Sequence, residues 1–214
     1  MSEVRTPRDA WNAMKQGNAR FVEGAPRHPR QNVDRRNELA HTQTPIAALF
    51  GCSDSRLAAE IIFDMGLGDL FVIRNAGQVI SDSVIGSIEY AVAVLDVPLI
   101  IVLAHDECGA VRAAIDSTGI DAPTLPVHIW KHIAPIVPAV RRVMRSGAVT
   151  VPEAVDAEEV GREHLRDTVA DLLHSSDLIS EAVREGRLAI VGANYRLAQG
   201  AVVPAVAVGL PEES

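Results

Sequence analysis

The fold is decided by the run Leu99-Ile100-Ile101-Val102-Leu103, five apolar residues without interruption. Such a run is typical of a β-strand that is buried on both faces. Similar apolar runs occupy residues 46–50, 70–73 and 188–191. Between them, the spacing of apolar residues is typical of helices at about residues 58–65, 83–95 and 110–117. The alternation predicts an α/β fold with a mostly parallel central sheet of four strands, flanked by helices.

The two ends of the chain extend this core. Thr6 and Pro7 have the residue types of a helix N-cap and first helical position, and the predicted helix runs to about Val22. The segment 202–208 contains Pro204, which confines it to an edge strand, here predicted to be antiparallel. We therefore predict one domain over residues 1–214. Its parts are an N-terminal helical arm (1–40), a core with the candidate site (44–120), and a helical region with the C-terminal strands (125–214).

Composition excludes several classes of protein. The chain has 214 residues, of which 48% are hydrophobic and 22% charged, as in globular proteins. Its net charge of −8 argues against a nucleic-acid or anionic-membrane partner. The longest uncharged apolar run, residues 97–104, is too short to cross a bilayer. Residues 1–5 show no secretory signal, and the chain has only two cysteines. These features predict a cytoplasmic protein.

The candidate site lies where the predicted strands end. Ligands of open α/β sheets bind at the carboxyl ends of the strands. Cys52 follows the first strand, and the His-x-x-Cys pair His105 and Cys108 follows the third. Two sulfurs and one nitrogen match zinc and leave one tetrahedral position open. Spacing alone also allows another interpretation, in which both cysteines are small core residues and the histidine is a satisfied turn residue.

The segment Cys52-Ser53-Asp54-Ser55-Arg56 adds a carboxylate and an arginine that can pair beside a metal. Cys-x-Asp-x-Arg followed by His-x-x-Cys-Gly resembles the signature of the β-class carbonic anhydrases, in their bacterial, plant-like branch. The resemblance extends over about residues 43–113 and includes the segments 71–75 and 88–92.

This resemblance implies the metal and the reaction. One Zn²⁺ per subunit would be held by Cys52, His105 and Cys108, with water or hydroxide as fourth ligand. The hydroxide would attack CO2 to give bicarbonate and a proton. Asp54 would accept the hydroxide's proton in a hydrogen bond, and Arg56 would hold Asp54 ionised. In a closed state Asp54 would bind the zinc itself.

The resemblance also implies a substrate pocket. Gln43 would contact the substrate, the Gly109 N–H would face it, and Phe71, Ala76 and Tyr90 would form apolar walls. Because several of these residues come from a neighbouring subunit in the family, the chain would form a homodimer or a dimer of dimers. Phe71 and Tyr90 could instead serve only core packing.

Departures from the family pattern also carry information. Ala104 stands where the family often has glycine before the ligand histidine. The bicarbonate-inhibited branch has a tryptophan three residues before the first ligand cysteine, and here that position is Leu49. Arg74 and Tyr195 match two other members of that regulatory pocket. Since the tryptophan is absent and Gln43 is present, we predict no strong inhibition by bicarbonate.

Several alternatives remain at this point. A related enzyme could act on carbonyl sulfide or carbon disulfide at the same site, or the chain could be a catalytically silent, zinc-stabilised assembly domain. A nucleophilic pair of Cys52 and His105 is conceivable but leaves Cys108 without a role. His128 and His132 have the i, i+4 spacing of zinc ligands on a helix, but no glutamate follows His128, so a surface or interface pair is expected.

Overall fold

The structure is a computed structural model that describes residues 6–210. Its described part contains a five-stranded sheet with the strand order β2-β1-β3-β4-β5. The strands are β1 (Ala47–Cys52), β2 (Leu70–Asn75), β3 (Leu99–His105), β4 (Ala189–Arg196) and β5 (Ala201–Val208). The first four are parallel, and β5 pairs with β4 in the antiparallel sense. The predicted fold class is thus confirmed.

Helices surround this sheet. They are α1 (Pro7–Val22), α2 (Val33–Glu38), α3 (Ala59–Ile62), α4 (Asp82–Ala93), α5 (Gly109–Asp116), α6 (Val127–Ile133), α7 (Val137–Ser146), α8 (Ala157–Ser175) and α9 (Asp177–Arg184). Two short 3₁₀ turns, Ala134–Ile136 and Pro152–Ala154, connect the helices of the C-terminal half. The helical pattern predicted for residues 58–65 yields only the single turn α3, because Asp64 leaves the helical conformation with a φ of 45°.

The N-terminal helix begins and ends as predicted. The Thr6 side chain accepts a hydrogen bond from the Asp9 N–H, and Pro7 occupies the first helical position. Trp11 and Met14 are buried in the main core, so this part of the predicted arm packs on its own chain. The division of the chain at residues 40, 44 and 125 remains a prediction.

The sheet separates two layers of hydrophobic core. Successive residues of β3 contribute to opposite layers: Leu99, Ile101 and Leu103 belong to one, Ile100 and Val102 to the other. This alternation follows from the two-residue period of a strand. Since both faces of β3 are buried, its apolar run is continuous, as predicted.

The edge strands differ from the central ones. The run 70–73 predicts a strand buried on both faces, but β2 is only half-buried because it forms one edge of the sheet. Pro204 lies in β5, the other edge, opposite Ala193, where the register of β4 and β5 shifts. A proline has no N–H for a ladder, so this irregular edge position accommodates it.

Between residues 6 and 210, every helix is either too short or too polar to traverse a lipid bilayer. The segment 1–5, in which the sequence predicts no secretory signal, lies outside the described residues.

Candidate metal centre

Three candidate ligands meet at the carboxyl ends of two neighbouring strands. Cys52 is the last residue of β1 and His105 the last residue of β3. These strands are paired in parallel, with Gly51 opposite Leu103, so both strands end at the same edge. Cys108 follows one turn later as the N-cap residue of α5. The ligand atoms of the three residues lie within 4.8 Å of one another, and all three residues are buried.

The sulfur of Cys52 accepts two backbone hydrogen bonds. The Gly77 N–H donates to Sγ over 3.2 Å and the Asp54 N–H over 3.4 Å. The pKa of Cys52 lies far below its usual range, chiefly because Cys108 donates a hydrogen bond to it, and the two N–H groups act in the same direction. This environment favours the thiolate, the form that binds metals.

Cys108 has a complementary environment. Its role as donor to Cys52, together with burial, raises the pKa of its thiol. The backbone N–H groups of Ala110 and Val111 act in the opposite direction, because they donate to the sulfur from the first turn of α5. The two thiols thus compete for negative charge, and a divalent cation between them would remove this competition.

His105 presents one ring nitrogen to the same space. Its Nδ1 lies 2.7 Å from the Asp106 carbonyl oxygen. A carbonyl oxygen can only accept, so Nδ1 carries the hydrogen and Nε2 keeps its lone pair. Nε2 is buried and has no hydrogen-bond partner among the described residues. A buried acceptor of this kind needs a partner, and a metal ion held also by two thiolates would supply one. The donor set of two sulfurs and one imidazole suits zinc.

Asp54 and Arg56 lie directly beside this group. The Arg56 side chain donates two hydrogen bonds to the Asp54 carboxylate, and the Arg56 backbone N–H donates a third. The side-chain bonds hold the pKa of Asp54 well below its usual range. Asp54 is therefore ionised at neutral pH and directed at Arg56, outside the set of three converging ligand atoms.

Arg74 fixes the loop that carries both Cys52 and Asp54. Its Nε donates to the Cys52 carbonyl oxygen at 2.9 Å, and its Nη2 donates to that of Asp54 at 2.7 Å. Arg74 is the fifth residue of β2, next to Gly51 in the neighbouring strand. The sequence interpretation placed Arg74 in a regulatory pocket; its contacts here add a structural role for the site.

Comparison with known proteins identifies the family. A family model described as carbonic anhydrase matches residues 47–202, which is more than half of the chain. The chain belongs to this β-carbonic anhydrase family. Carbonic anhydrase 2 of Mycobacterium tuberculosis is 50% identical over 198 residues and covers 92% of both chains. The carbonic anhydrase of Mycolicibacterium smegmatis is 47% identical over 197 residues, with the same coverage. The enzyme class of this chain is thus carbonic anhydrase.

Solved β-carbonic anhydrases share the fold. A tetrameric enzyme from the ascomycete Sordaria macrospora superposes with a TM-score of 0.71 at 24% identity, over 92% of this chain and 98% of that one. The Coccomyxa enzyme in complex with acetazolamide gives a TM-score of 0.70 at 23% identity, over 81% and 78%. At these identities the comparison supports the architecture alone.

The predicted apolar walls lie apart from this chain's own ligand group. The rings of Phe71 and Tyr90 lie side by side, with centroids 6.1 Å apart and planes tilted by 32°. Phe71 packs on the core layer opposite to the one that contains Cys52 and Cys108. Tyr90 remains 46% exposed, so its ring is not a buried core residue in the single chain.

The other predicted pocket residues are exposed. Gln43 precedes β1, and the five steps from Ala47 to Cys52 span about 16 Å. Gln43 thus lies at the opposite end of that strand from Cys52, away from this chain's own ligand group. Ala76 and Gly109 are closer to the ligand group: Ala76 precedes Gly77, and Gly109 follows Cys108. A Cβ built on Gly109 would meet no atom within 4 Å, so its backbone borders open space.

Three residues near the ligands make contacts that the sequence does not predict: Gly77, His132 and His164. Gly77 donates to Cys52, His132 contacts the carbonyl oxygen of Ala76, and His164 contacts that of Gly77 itself. The histidines lie 56 and 87 residues away from their partners in the chain. The i, i+4 spacing of His128 and His132 drew attention to one of them, but the expectation of a surface or interface pair misses this internal contact.

Proposed function

We propose that this chain catalyses the reversible hydration of CO2 to bicarbonate and a proton, with one zinc ion held by Cys52, His105 and Cys108. The observation that carries the proposal is the convergence of these three ligand atoms to within 4.8 Å at the end of a family-typical sheet. Bound there, zinc would lower the pKa of a water molecule so that hydroxide is available near neutral pH.

The chain's own residues orient the reaction. Asp54 Oδ1 accepts two hydrogen bonds from Arg56, whereas Oδ2 accepts one. Oδ2 thus keeps a lone pair that can accept the hydrogen of the attacking hydroxide and direct the hydroxide oxygen toward the carbon of CO2. Because the pKa of Asp54 is lowered, the carboxylate stays available as an acceptor over the whole neutral range.

A closed state requires a change in this pair. For Asp54 to bind zinc itself, its carboxylate must leave Arg56 and give up both side-chain hydrogen bonds. Half of the Arg56 side chain is exposed, so water can replace Asp54 as its partner. We infer that the present arrangement corresponds to the open, active state of the loop.

The substrate pocket needs a second subunit. Three of the predicted pocket residues lie at or near the surface, away from their own chain's metal ligands: Gln43, Phe71 and Tyr90. The other two, Ala76 and Gly109, lie next to those ligands. We propose a homodimer, alone or as part of a dimer of dimers, in which the first three residues of each subunit complete the neighbour's pocket. Such walls would hold apolar CO2 and leave the Gly109 N–H for bicarbonate. The acidic chain would act in the cytoplasm on this small substrate, without nucleic acid or membrane.

The test is stopped-flow CO2 hydration together with a zinc measurement on the same sample. We expect one zinc per subunit and hydration that disappears after chelation and returns with zinc. The Cys108→Ser variant should lose both zinc and activity, while Ser180→Ala, whose hydroxyl donates to the Asp177 carbonyl within α9, should keep both. Zinc without hydration at any pH would contradict the proposal and favour an assembly domain. Weak hydration with rapid hydrolysis of carbonyl sulfide or carbon disulfide would favour the related enzyme.

A further inference from the structure

The turn after β2 joins the metal centre to two distant helices. Gly77, in this turn, donates its N–H to Cys52 Sγ over 3.2 Å. The carbonyl oxygen of Ala76 lies 2.6 Å from His132 Nε2, and that of Gly77 lies 2.8 Å from His164 Nε2. Since carbonyl oxygens only accept, both imidazoles donate from Nε2. Two histidines of α6 and α8 thus hold consecutive carbonyl groups of the turn that contacts the sulfur.

One of these contacts acts through a single amide. The carbonyl of Ala76 and the N–H of Gly77 belong to the same peptide group. A hydrogen bond accepted by the oxygen of an amide polarises that amide and makes its N–H a better donor. The bond from His132 therefore strengthens the bond from Gly77 to Cys52, although His132 is far from the sulfur in sequence.

The turn has little room to move. Gly77 has a φ of 79°, the left-handed region that glycine tolerates. A Cβ at this position would lie 2.7 Å from the Ala110 Cβ and 3.2 Å from the Ile136 side chain. The backbone of Gly77 thus packs directly against α5, the helix that begins beside Cys108. A small displacement of this turn would be transmitted to both sulfur ligands.

His164 supports the turn from the buried side. It is 3% exposed, and burial lowers the pKa of its imidazole, which keeps it neutral. Its Nε2 hydrogen points to Gly77, and its Nδ1 has no partner among the described residues. Thr168, one turn later on α8, lies within 3.5 Å of the Gln78 carbonyl oxygen. A buried histidine with one ring nitrogen unsatisfied is costly, so a positional role would explain its presence.

We propose that His132 and His164 are positioning residues of the metal centre, which set the direction and strength of the Gly77 N–H bond to Cys52. The inference rests on the proposed function only in that Cys52 is taken as a ligand. Neither histidine would contact the substrate or the reacting atoms. Their effect would be on how tightly the sulfur is held and on how much electron density it gives to the metal.

A single NMR signal can test this proposal directly. Ala76–Gly77 is the one place in the sequence where alanine precedes glycine. Labelling with carbonyl-¹³C alanine and ¹⁵N glycine therefore gives one correlated peak, which reports the Ala76 carbonyl and the Gly77 N–H together. We expect His132→Leu to shift both nuclei toward weaker hydrogen bonding, and His132→Gln, which retains a donor, to shift them less. The exposed His128 on the same helix supplies the control, His128→Leu.

Zinc release gives the functional readout. We expect about tenfold faster release to a chelator in His132→Leu and in His164→Leu than in the wild type. His164→Gln should largely restore slow release, because its amide can still donate to Gly77. His174→Leu, on the exposed part of α8, is the matched control. In a cobalt-substituted sample, the sulfur-to-metal charge-transfer band should shift in the two leucine variants but not in the controls.

The outcomes separate this inference from the proposed function. An unchanged Ala76–Gly77 signal and zinc release within twofold of the wild type in folded leucine variants would overturn the inference, whatever the activity. If the wild type fails to hydrate CO2, the proposed function is wrong, but the Ala76–Gly77 NMR signal and the zinc release rate still test the positioning role of the histidines. If the wild type fails to bind zinc, the Ala76–Gly77 NMR signal of the metal-free chain and its variants tests the positioning role by itself. Equal loss of thermal stability in the Leu and Gln variants, without rescue by Gln, would point to a merely structural role and contradict the proposal.

Discussion

Arg56 binds the carboxylate of Asp54 side-on, with Nε 2.9 Å from Oδ1 and Nη2 2.7 Å from Oδ2. Two parallel charge-assisted bonds fix both the position and the plane of the carboxylate. A carboxylate so fixed can orient a small nucleophile, whereas a free one would rotate or bind the metal.

Replacing this arginine should separate catalysis from metal binding. We expect Arg56→Ala to lower kcat/KM for CO2 hydration by about 100-fold or more, because Asp54 loses its orientation. Zinc content should remain at the wild-type level. The control is Arg187→Ala, since Arg187 pairs with Glu185 at the same two-residue spacing on the surface. Loss of zinc from Arg56→Ala would show that Arg56 acts mainly on the structure of the loop.

The activity should rise with pH across the mildly alkaline range. Two thiolates neutralise much of the charge of a bound zinc ion, so its water should be less acidic than in an all-histidine site, where its pKa is about 7. The pKa of Asp54 is lowered, so its protonation contributes nothing to the fall in rate between pH 9 and pH 6. Stopped-flow kcat/KM at constant ionic strength measures this profile, and a flat rate from pH 6 to pH 9 would rule the prediction out.

Bicarbonate should not inhibit strongly. Leu49 occupies the position of the branch-specific tryptophan, and the Arg74 side chain is engaged with the carbonyl groups of Cys52 and Asp54. A bicarbonate ion would have to compete with these bonds for the guanidinium group. Hydration rates with added bicarbonate should match those with equal ionic strength of chloride. A steep, cooperative loss of rate with bicarbonate alone would be the opposite result.

Gly17 tests the packing of α1. A Cβ on Gly17 would lie 1.8 Å from the Phe63 carbonyl oxygen, so α1 and the end of α3 would have to separate. In an unobstructed helix, glycine to alanine gains up to about 1 kcal/mol. We expect Gly17→Ala instead to destabilise by about 2 kcal/mol or more, as measured by urea unfolding at fixed protein concentration. Gly161→Ala on α8 is the control, because a Cβ added there would meet no atom within 4 Å, and it should be neutral or stabilising.

Asp64 should make stability depend on pH. Its carboxylate accepts hydrogen bonds from Arg20 and from the backbone N–H groups of Arg27 and His28, and it is almost fully buried. These bonds lower its pKa in the folded chain against the opposing effect of burial. The unfolded value is about 3.9, so the stabilisation is complete above this pH and is lost as the pH falls through the folded value.

The variant Asp64→Asn measures this contribution. Asparagine tolerates the φ of 45° at this position, so the change removes mainly the charge. We expect a loss of about 1–3 kcal/mol at pH 7, shrinking below about pH 4 as the wild type itself becomes protonated. Asp34→Asn, on the exposed helix α2, should change little. A difference between wild type and Asp64→Asn that stays constant from pH 7 to pH 3 would contradict the assignment.

The sequence predicts those features of the fold and of the site that depend on short, local patterns of residues. The apolar runs locate β1 to β4, Pro204 places β5 at the edge, and strand ends locate Cys52 and His105. The half-buried state of β2 could not be predicted, because a run such as 70–73 has the same composition at an edge as in the centre. Edge position depends on strand order, which is a property of the whole sheet.

The surroundings of the ligands were less predictable for a related reason. The contact of His164 with Gly77 joins residues 87 positions apart. This contact forms only when α8 packs on the sheet. No spacing within a motif encodes such a bond. By contrast, Asp54 and Arg56 are two positions apart, and their pairing follows from the local chain alone.

The pairing of β1 with β3 carries a further consequence. Phe50 lies opposite Val102 and Gly51 opposite Leu103, and this alignment places the end of β1 at Cys52 only one residue short of the end of β3 at His105. A slip of one residue would carry one of them about 3.3 Å along the sheet and turn every side chain of that strand to the other face. The hydrogen-bond register of β1 and β3 thus sets the spacing of the candidate metal ligands. Metal binding by these ligands would therefore report that the two strands have paired in the correct register.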